Sequence, residues 1–172
     1  MKIAIVYSTR GGTTRECAEL LAKEMKNDTV ELFEIGEGEP DYSKYDICVV
    51  GFPIRMAKAE KKARQFLKKN AEMLKQMKTA YFLCCGFVDC FEEYAEKCID
   101  KELRDSAAAI YCLGGSLDPD RFKGLDRIIV KMVRTEILSG GENADQRDDL
   151  SLPTVMEENI SQFADELRRA MV

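Results

Sequence analysis

Lys2-Ile3-Ala4-Ile5-Val6-Tyr7-Ser8-Thr9-Arg10-Gly11-Gly12-Thr13-Thr14, followed by Cys17, Leu20, Leu21 and Met25 at helical spacing, is the stretch that decides the fold. An apolar run of strand length leads into a turn of hydroxyls and glycines, and the turn leads into an amphipathic helix. Glycines let backbone N–H groups converge, and the first amides of a helix lack internal acceptors and carry the positive end of its dipole. Such a turn is a binding site for an anion, above all a phosphate. A helix cap alone uses one hydroxyl residue, whereas this turn holds Ser8, Thr9, Thr13 and Thr14. No lysine completes a Walker loop and no G-x-G-x-x-G is present, so neither ATP nor a Rossmann-bound nicotinamide is the expected guest.

Working outward, four more short apolar runs over residues 29–35, 46–52, 79–85 and 107–113 predict four further strands. Between and after them, helical patterns are expected over residues 59–69, 91–103 and 155–171. The last carries Ile160, Phe163, Leu167 and Met171 on one side. Leu125, Ile128, Ile129, Met132, Val133 and Ile137 mark another apolar stripe at the same spacing. Alternating strands and helices predict an α/β domain in three layers, a parallel sheet covered on both faces, spanning residues 1–172 as a single domain. Residues 139–153 read as a long polar surface loop. Two more glycine-bearing loops follow strands, at Gly51-Phe52-Pro53-Ile54-Arg55 and Cys84-Cys85-Gly86-Phe87.

Composition narrows the chemistry. The 172 residues are 45% hydrophobic and carry a formal charge of −5, which excludes disorder and a general nucleic-acid binder. The absence of histidine excludes histidine-based triads, general bases and zinc sites. Seven cysteines without C-x-x-C spacing read as reduced thiols, with no metal site expected. No signal-peptide core or membrane span is recognisable, so a cytoplasmic location is expected.

Ile5 to Thr14, with Ala18 and Leu21, resembles the flavodoxin signature. The resemblance implies a flavodoxin-like three-layer sandwich with a five-stranded parallel sheet in the order 2-1-3-4-5, and FMN as cofactor. It implies a phosphate site made of Ser8, Thr9, Arg10, Gly11, Gly12, Thr13 and Thr14. Thr9 and Thr14 would act as hydroxyl donors and Arg10 to Thr13 as backbone donors. Gly11 stands where flavodoxins often have another threonine. The resemblance further implies that Pro53, Ile54, Arg55 and Met56 on one side, and Cys85, Gly86 and Phe87 on the other, flank the flavin ring, with Phe87 offering an aromatic face. In that fold family ligands bind beyond the carboxyl ends of the strands where the strand order reverses, a rule for which flavodoxin is itself a standard example.

Across nearly the whole chain, further positions resemble the bacterial menaquinone-dependent protoporphyrinogen oxidase group. They include Ser8-Thr9-Arg10, Ile54-Arg55, Asp126-Arg127, Lys131 and Ser139-Gly140-Gly141-Glu142. The resemblance implies an FMN-dependent oxidoreductase with a redox partner or a small-molecule or quinone substrate. After Arg55 this chain has Met56-Ala57-Lys58-Ala59, where that group tends to carry aromatic, glycine and histidine residues. No glycine lies between Gly51 and Gly86, so the positive φ that electron-carrying flavodoxins use beside the flavin is not expected, and two-electron chemistry is. Residues 55–78 hold nine Lys/Arg and two Asp/Glu, a charge of +7 in a chain of −5, suited to an acidic partner, an anionic substrate or peripheral contact with a membrane surface. The rival readings are a single-electron carrier flavodoxin and a flavin-free interaction module of the same fold.

Overall fold

The computed structural model describes residues 1–139 and 152–170. In chain order its elements are β1 (Lys2–Tyr7), α1 (Thr13–Glu24), β2 (Thr29–Glu34), β3 (Ile47–Arg55), β4 (Lys58–Ala59), α2 (Lys61–Lys69), α3 (Ala71–Gln76), β5 (Lys78–Cys84), α4 (Phe91–Cys98), α5 (Lys101–Asp105), β6 (Ala107–Cys112), α6 (Gly124–Leu138) and α7 (Glu157–Ala170). The main sheet runs β2-β1-β3-β5-β6, all parallel, which is the expected order for the five principal strands.

Successive side chains of a strand point to opposite faces, and the core divides accordingly. Ile3, Ile5, Ile47, Val49, Phe82 and Cys84 pack against Cys17 and Leu21 of α1, Met25 just after it, and Ile160, Phe163, Ala164 and Leu167 of α7. Ala4, Val6, Cys48, Val50, Tyr81 and Leu83 face the other way, onto Phe66 and Leu67 of α2, Leu74 of α3, Ala95 of α4 and Leu103 of α5. These central strands are buried on both faces, which explains their unbroken apolar runs.

Four expectations change. The third strand continues through Pro53 and Ile54 to Arg55 and turns back as β4, so residues 53–55 belong to a strand and not to a loop. The following helix begins at Lys61, because the Glu60 carboxylate accepts from the amides of Lys62 and Ala63 at 2.8 and 3.4 Å. The helix expected over 91–103 breaks at Ile99, which is extended and buried between α4 and α5. Finally, the stripe on α6 buries no residue: Leu125, Ile128, Ile129 and Met132 are exposed, and the helix packs chiefly on the turn Pro119–Arg121 before it. Most of the loop expected over 139–153, and Met171, lie outside the described residues.

Candidate functional site

At the carboxyl end of the sheet the first loop joins β1 to α1. Gly12 is the N-cap of α1 with φ +83, a left-handed conformation open to glycine at little cost, and no side chain caps the helix. The Gly12 amide donates to Thr9 Oγ1 at 3.0 Å, which leaves the Thr9 hydroxyl proton free to donate elsewhere. Ser8 Oγ and Thr14 Oγ1 are both buried and have no hydrogen-bond partner among the described residues. A buried hydroxyl left unsatisfied is costly, and Thr14, which lines the cavity beside an uncapped helix N-terminus, offers its proton to an acceptor there.

Gly11 has a separate cause. A Cβ there would come within 2.5 Å of the Phe122 ring, so the threonine common in flavodoxins would require that ring to move aside. Phe122 leads into α6, and Arg121 beside it bonds Glu16 of α1 at 2.6 Å. The segment from Pro119 onward is thereby drawn over the first loop as a roof.

Beneath the roof lies a cavity of about 470 Å³. Of the residues expected to hold a cofactor, Thr9, Arg10, Gly11, Thr13, Thr14, Pro53, Ile54, Arg55, Cys85, Gly86 and Phe87 line it, while Ser8 and Gly12 do not. Sequence reasoning omitted its other walls, among them Leu117, Phe122, Asp126, Ile129 and Val133. Asp126 was visible only as one of the positions shared with the oxidase group, and nothing local in the sequence indicates that α6 returns over the first loop.

Two features of this cavity bear on chemistry. The β3–β4 turn has Met56 at φ 49 and Ala57 at φ 57, which overturns the expectation that a glycine-free loop avoids positive φ. A two-residue hairpin connection favours positive φ at both central residues to match strand twist, and here the register Ile54↔Ala59 imposes it on side chains that resist it. On the opposite wall Cys85 Sγ lies 3.3 Å from Cys112 Sγ. Their hydrogen bond lowers the titration of the Cys112 thiol and raises that of Cys85. Cys112 lies 27 residues away on β6, which is why no spacing motif announced the pair.

Arg10 Nη2 pairs with Asp126 Oδ2 at 2.7 Å, and Arg55 Nη2 pairs with Asp126 Oδ1. Three segments distant in the chain thus meet at the cavity, two cations on one carboxylate.

Comparison with known proteins places this arrangement. The flavodoxin domain matches residues 4–144. Protoporphyrinogen IX dehydrogenase [quinone] of Escherichia coli K12 is 30% identical over 161 residues, covering 86% of each chain. A short-chain flavodoxin associated with a bacterial microcompartment superposes with a TM-score of 0.59 at 15% identity, over 100% of this chain and 99% of that one. A Fusobacterium nucleatum flavodoxin bound to flavin mononucleotide gives 0.52 at 12% identity, over 98% and 97%. Among the described residues no helix is long and apolar enough to cross a membrane.

Proposed function

The chain belongs to the flavodoxin-domain family, and on that premise we propose that it binds FMN and acts as an oxidoreductase passing electron pairs from an organic donor to a quinone-class acceptor. The observation that carries this reading is the buried, unpartnered Thr14 hydroxyl lining the cavity at the uncapped N-terminus of α1. Bound FMN supplies reversible electron transfer, and the chain supplies binding, orientation and charge.

Thr9 and Thr14 hydroxyls, with the amides from Arg10 to Thr13, donate to the phosphate, and Ser8 supports the loop from behind. Ile54, Met56 and Phe87 give the ring apolar walls, and the backbone of Cys85 and Gly86 closes the side opposite β3. Arg55 carries a positive charge at the cavity, which favours an anionic reduced form or an anionic donor. The quinone acceptor rests on the likeness to the Escherichia coli enzyme.

The test is an absorbance spectrum of the purified protein, then titration with FMN and riboflavin, then anaerobic reduction and mixing with menadione. FMN is expected to bind stoichiometrically and riboflavin much more weakly, with menadione reoxidising the reduced protein. Equal affinity for both flavins would show that residues 8–14 hold no phosphate, and absence of any flavin binding would restore the interaction module.

A second reading has one observation in its favour. Positive φ at Met56 and Ala57 supplies, without glycine, the backbone conformation that electron carriers use beside the ring. A reductive titration separates the two: one two-electron stage supports the oxidoreductase, and two distinct one-electron stages support the carrier.

A further inference from the structure

The thiols of this chain fall into two kinds of place. Cys17, Cys48 and Cys84 belong to the packed faces of the sheet, where a cysteine serves as a small apolar filler. Cys85 and Cys112 are buried as well, at 2% and 3% exposure, yet neither is among the described residues that build either face of the core. They sit at the carboxyl ends of the neighbouring strands β5 and β6, with their Sγ atoms 3.3 Å apart.

Strand alternation separates this pair from the vicinal cysteine beside it. Cys84 donates to Cys17 Sγ at 3.7 Å on one face of the sheet, and Cys85 meets Cys112 on the other. A disulfide holds its sulfurs about 2.05 Å apart, so side-chain movement of little more than an ångström joins Cys85 to Cys112. Cys85 lines the cavity together with Pro53, Ile54 and Phe87, the walls assigned to the flavin ring, whereas Cys112 is not one of its lining residues. The inner sulfur is also the one whose titration the shared hydrogen bond lowers. It is therefore the first of the two to become a thiolate, the form that attacks another sulfur.

We infer that Cys85 and Cys112 form a second two-electron centre, a dithiol–disulfide couple that exchanges an electron pair with FMN in the cavity. This rests on the FMN reading and adds to it a redox function for the chain's own side chains. In the oxidising direction the Cys112 sulfur bonds to the Cys85 sulfur as both S–H bonds break. The electron pair passes from Cys85 to oxidised flavin with one proton, and the second proton goes to solvent. The reverse step takes an electron pair from reduced flavin and two protons, and restores both thiols. A chain with both centres reduced holds four electrons where the flavin alone holds two.

The experiment takes the FMN-loaded protein with its thiols reduced and exposes it, without oxygen, to duroquinone, whose fully substituted ring does not add to thiols. Alkylation of the unfolded chain is then expected to find two fewer than the seven thiols of the sequence. Dithionite titration of the quinone-free product takes four electrons per flavin. The FMN-free protein given the same quinone keeps all its thiols. Cys112→Ala takes two electrons and leaves FMN affinity unchanged, while Cys17→Ala still takes four, which assigns the extra pair to Cys85 and Cys112. Two electrons per flavin in the unmodified protein, with every thiol intact, overturns the proposal. So does an equal loss of thiols with and without FMN, and so does an extra pair that disappears in Cys17→Ala and persists in Cys112→Ala. In each of these cases reoxidation of the bound flavin by duroquinone leaves the oxidoreductase reading standing, whereas failure to bind FMN at the outset ends both.

Discussion

Two helices of nearly equal length, α6 and α7, carry apolar residues at the same periodicity and end up in opposite circumstances. In α7 the stripe Ile160, Phe163, Ala164 and Leu167 is buried against the sheet and α1. In α6 no residue is buried, Leu125 is 76% exposed and Met132 67%, and the helix is held by the ion pairs of Asp126 and by Phe122 lying on Gly11. A 3.6-residue period says that a helix has an apolar face. What covers the face depends on where the preceding strand delivers the helix, and β6 is an edge strand whose following chain crosses the carboxyl end of the sheet before returning as α7.

The contrast is most exposed to failure at Phe163. Phe163→Ala should cost about 3–5 kcal/mol in urea unfolding, because it empties a fully buried site between Phe82 and Tyr111. Met132→Gln in α6 should stay within about 0.5 kcal/mol. Comparable losses at both positions would mean that the α6 face is covered after all.

Alkali should separate the two regions next. Burial pushes the Cys48 thiol and the Tyr81 phenol up to about 12, and α6 contains neither residue type. Both groups are neutral when protonated, so the unfolded chain loses these protons first and stability falls as pH rises. That contribution is intact below about pH 9 and is lost progressively toward pH 12, at up to about 1.4 kcal/mol per pH unit for each group. Thermal midpoints measured across that range check it, and Cys48→Ala should flatten the decline.

A smaller effect is expected at the first loop, which belongs to the packed body although the roof lies on it. Thr14→Val should lower FMN affinity about tenfold to a hundredfold, leave riboflavin affinity unchanged and leave the unfolding midpoint nearly where it is. An equal loss for both flavins would remove Thr14 from the phosphate site. The smallest change concerns the turn at the cavity wall. Ala57→Gly should raise stability by about 0.5–1 kcal/mol, since φ 57 strains an alanine and not a glycine. A loss of stability there would indicate that the turn is not under backbone strain.

The sequence by itself determined whatever is encoded within a few residues. The strand-turn-helix of residues 2–25, the five principal strands and the polarity of the first loop were legible because side-chain alternation, helical spacing and turn chemistry act locally. So were about half of the residues that line the cavity, through the loops that follow strands. Only the tertiary structure decided the rest. It brought Arg10, Arg55 and Asp126 together from three segments, set Cys85 against Cys112 across neighbouring strands, and forced positive φ on Met56 and Ala57 by pairing β4 with β3. It also left the stripe of α6 unburied while burying that of α7. The physical reason is the same in each case. A local pattern specifies what a segment offers to a partner, but the partner is chosen by the path of the whole chain, and contacts between residues tens of positions apart leave no periodic trace in either segment.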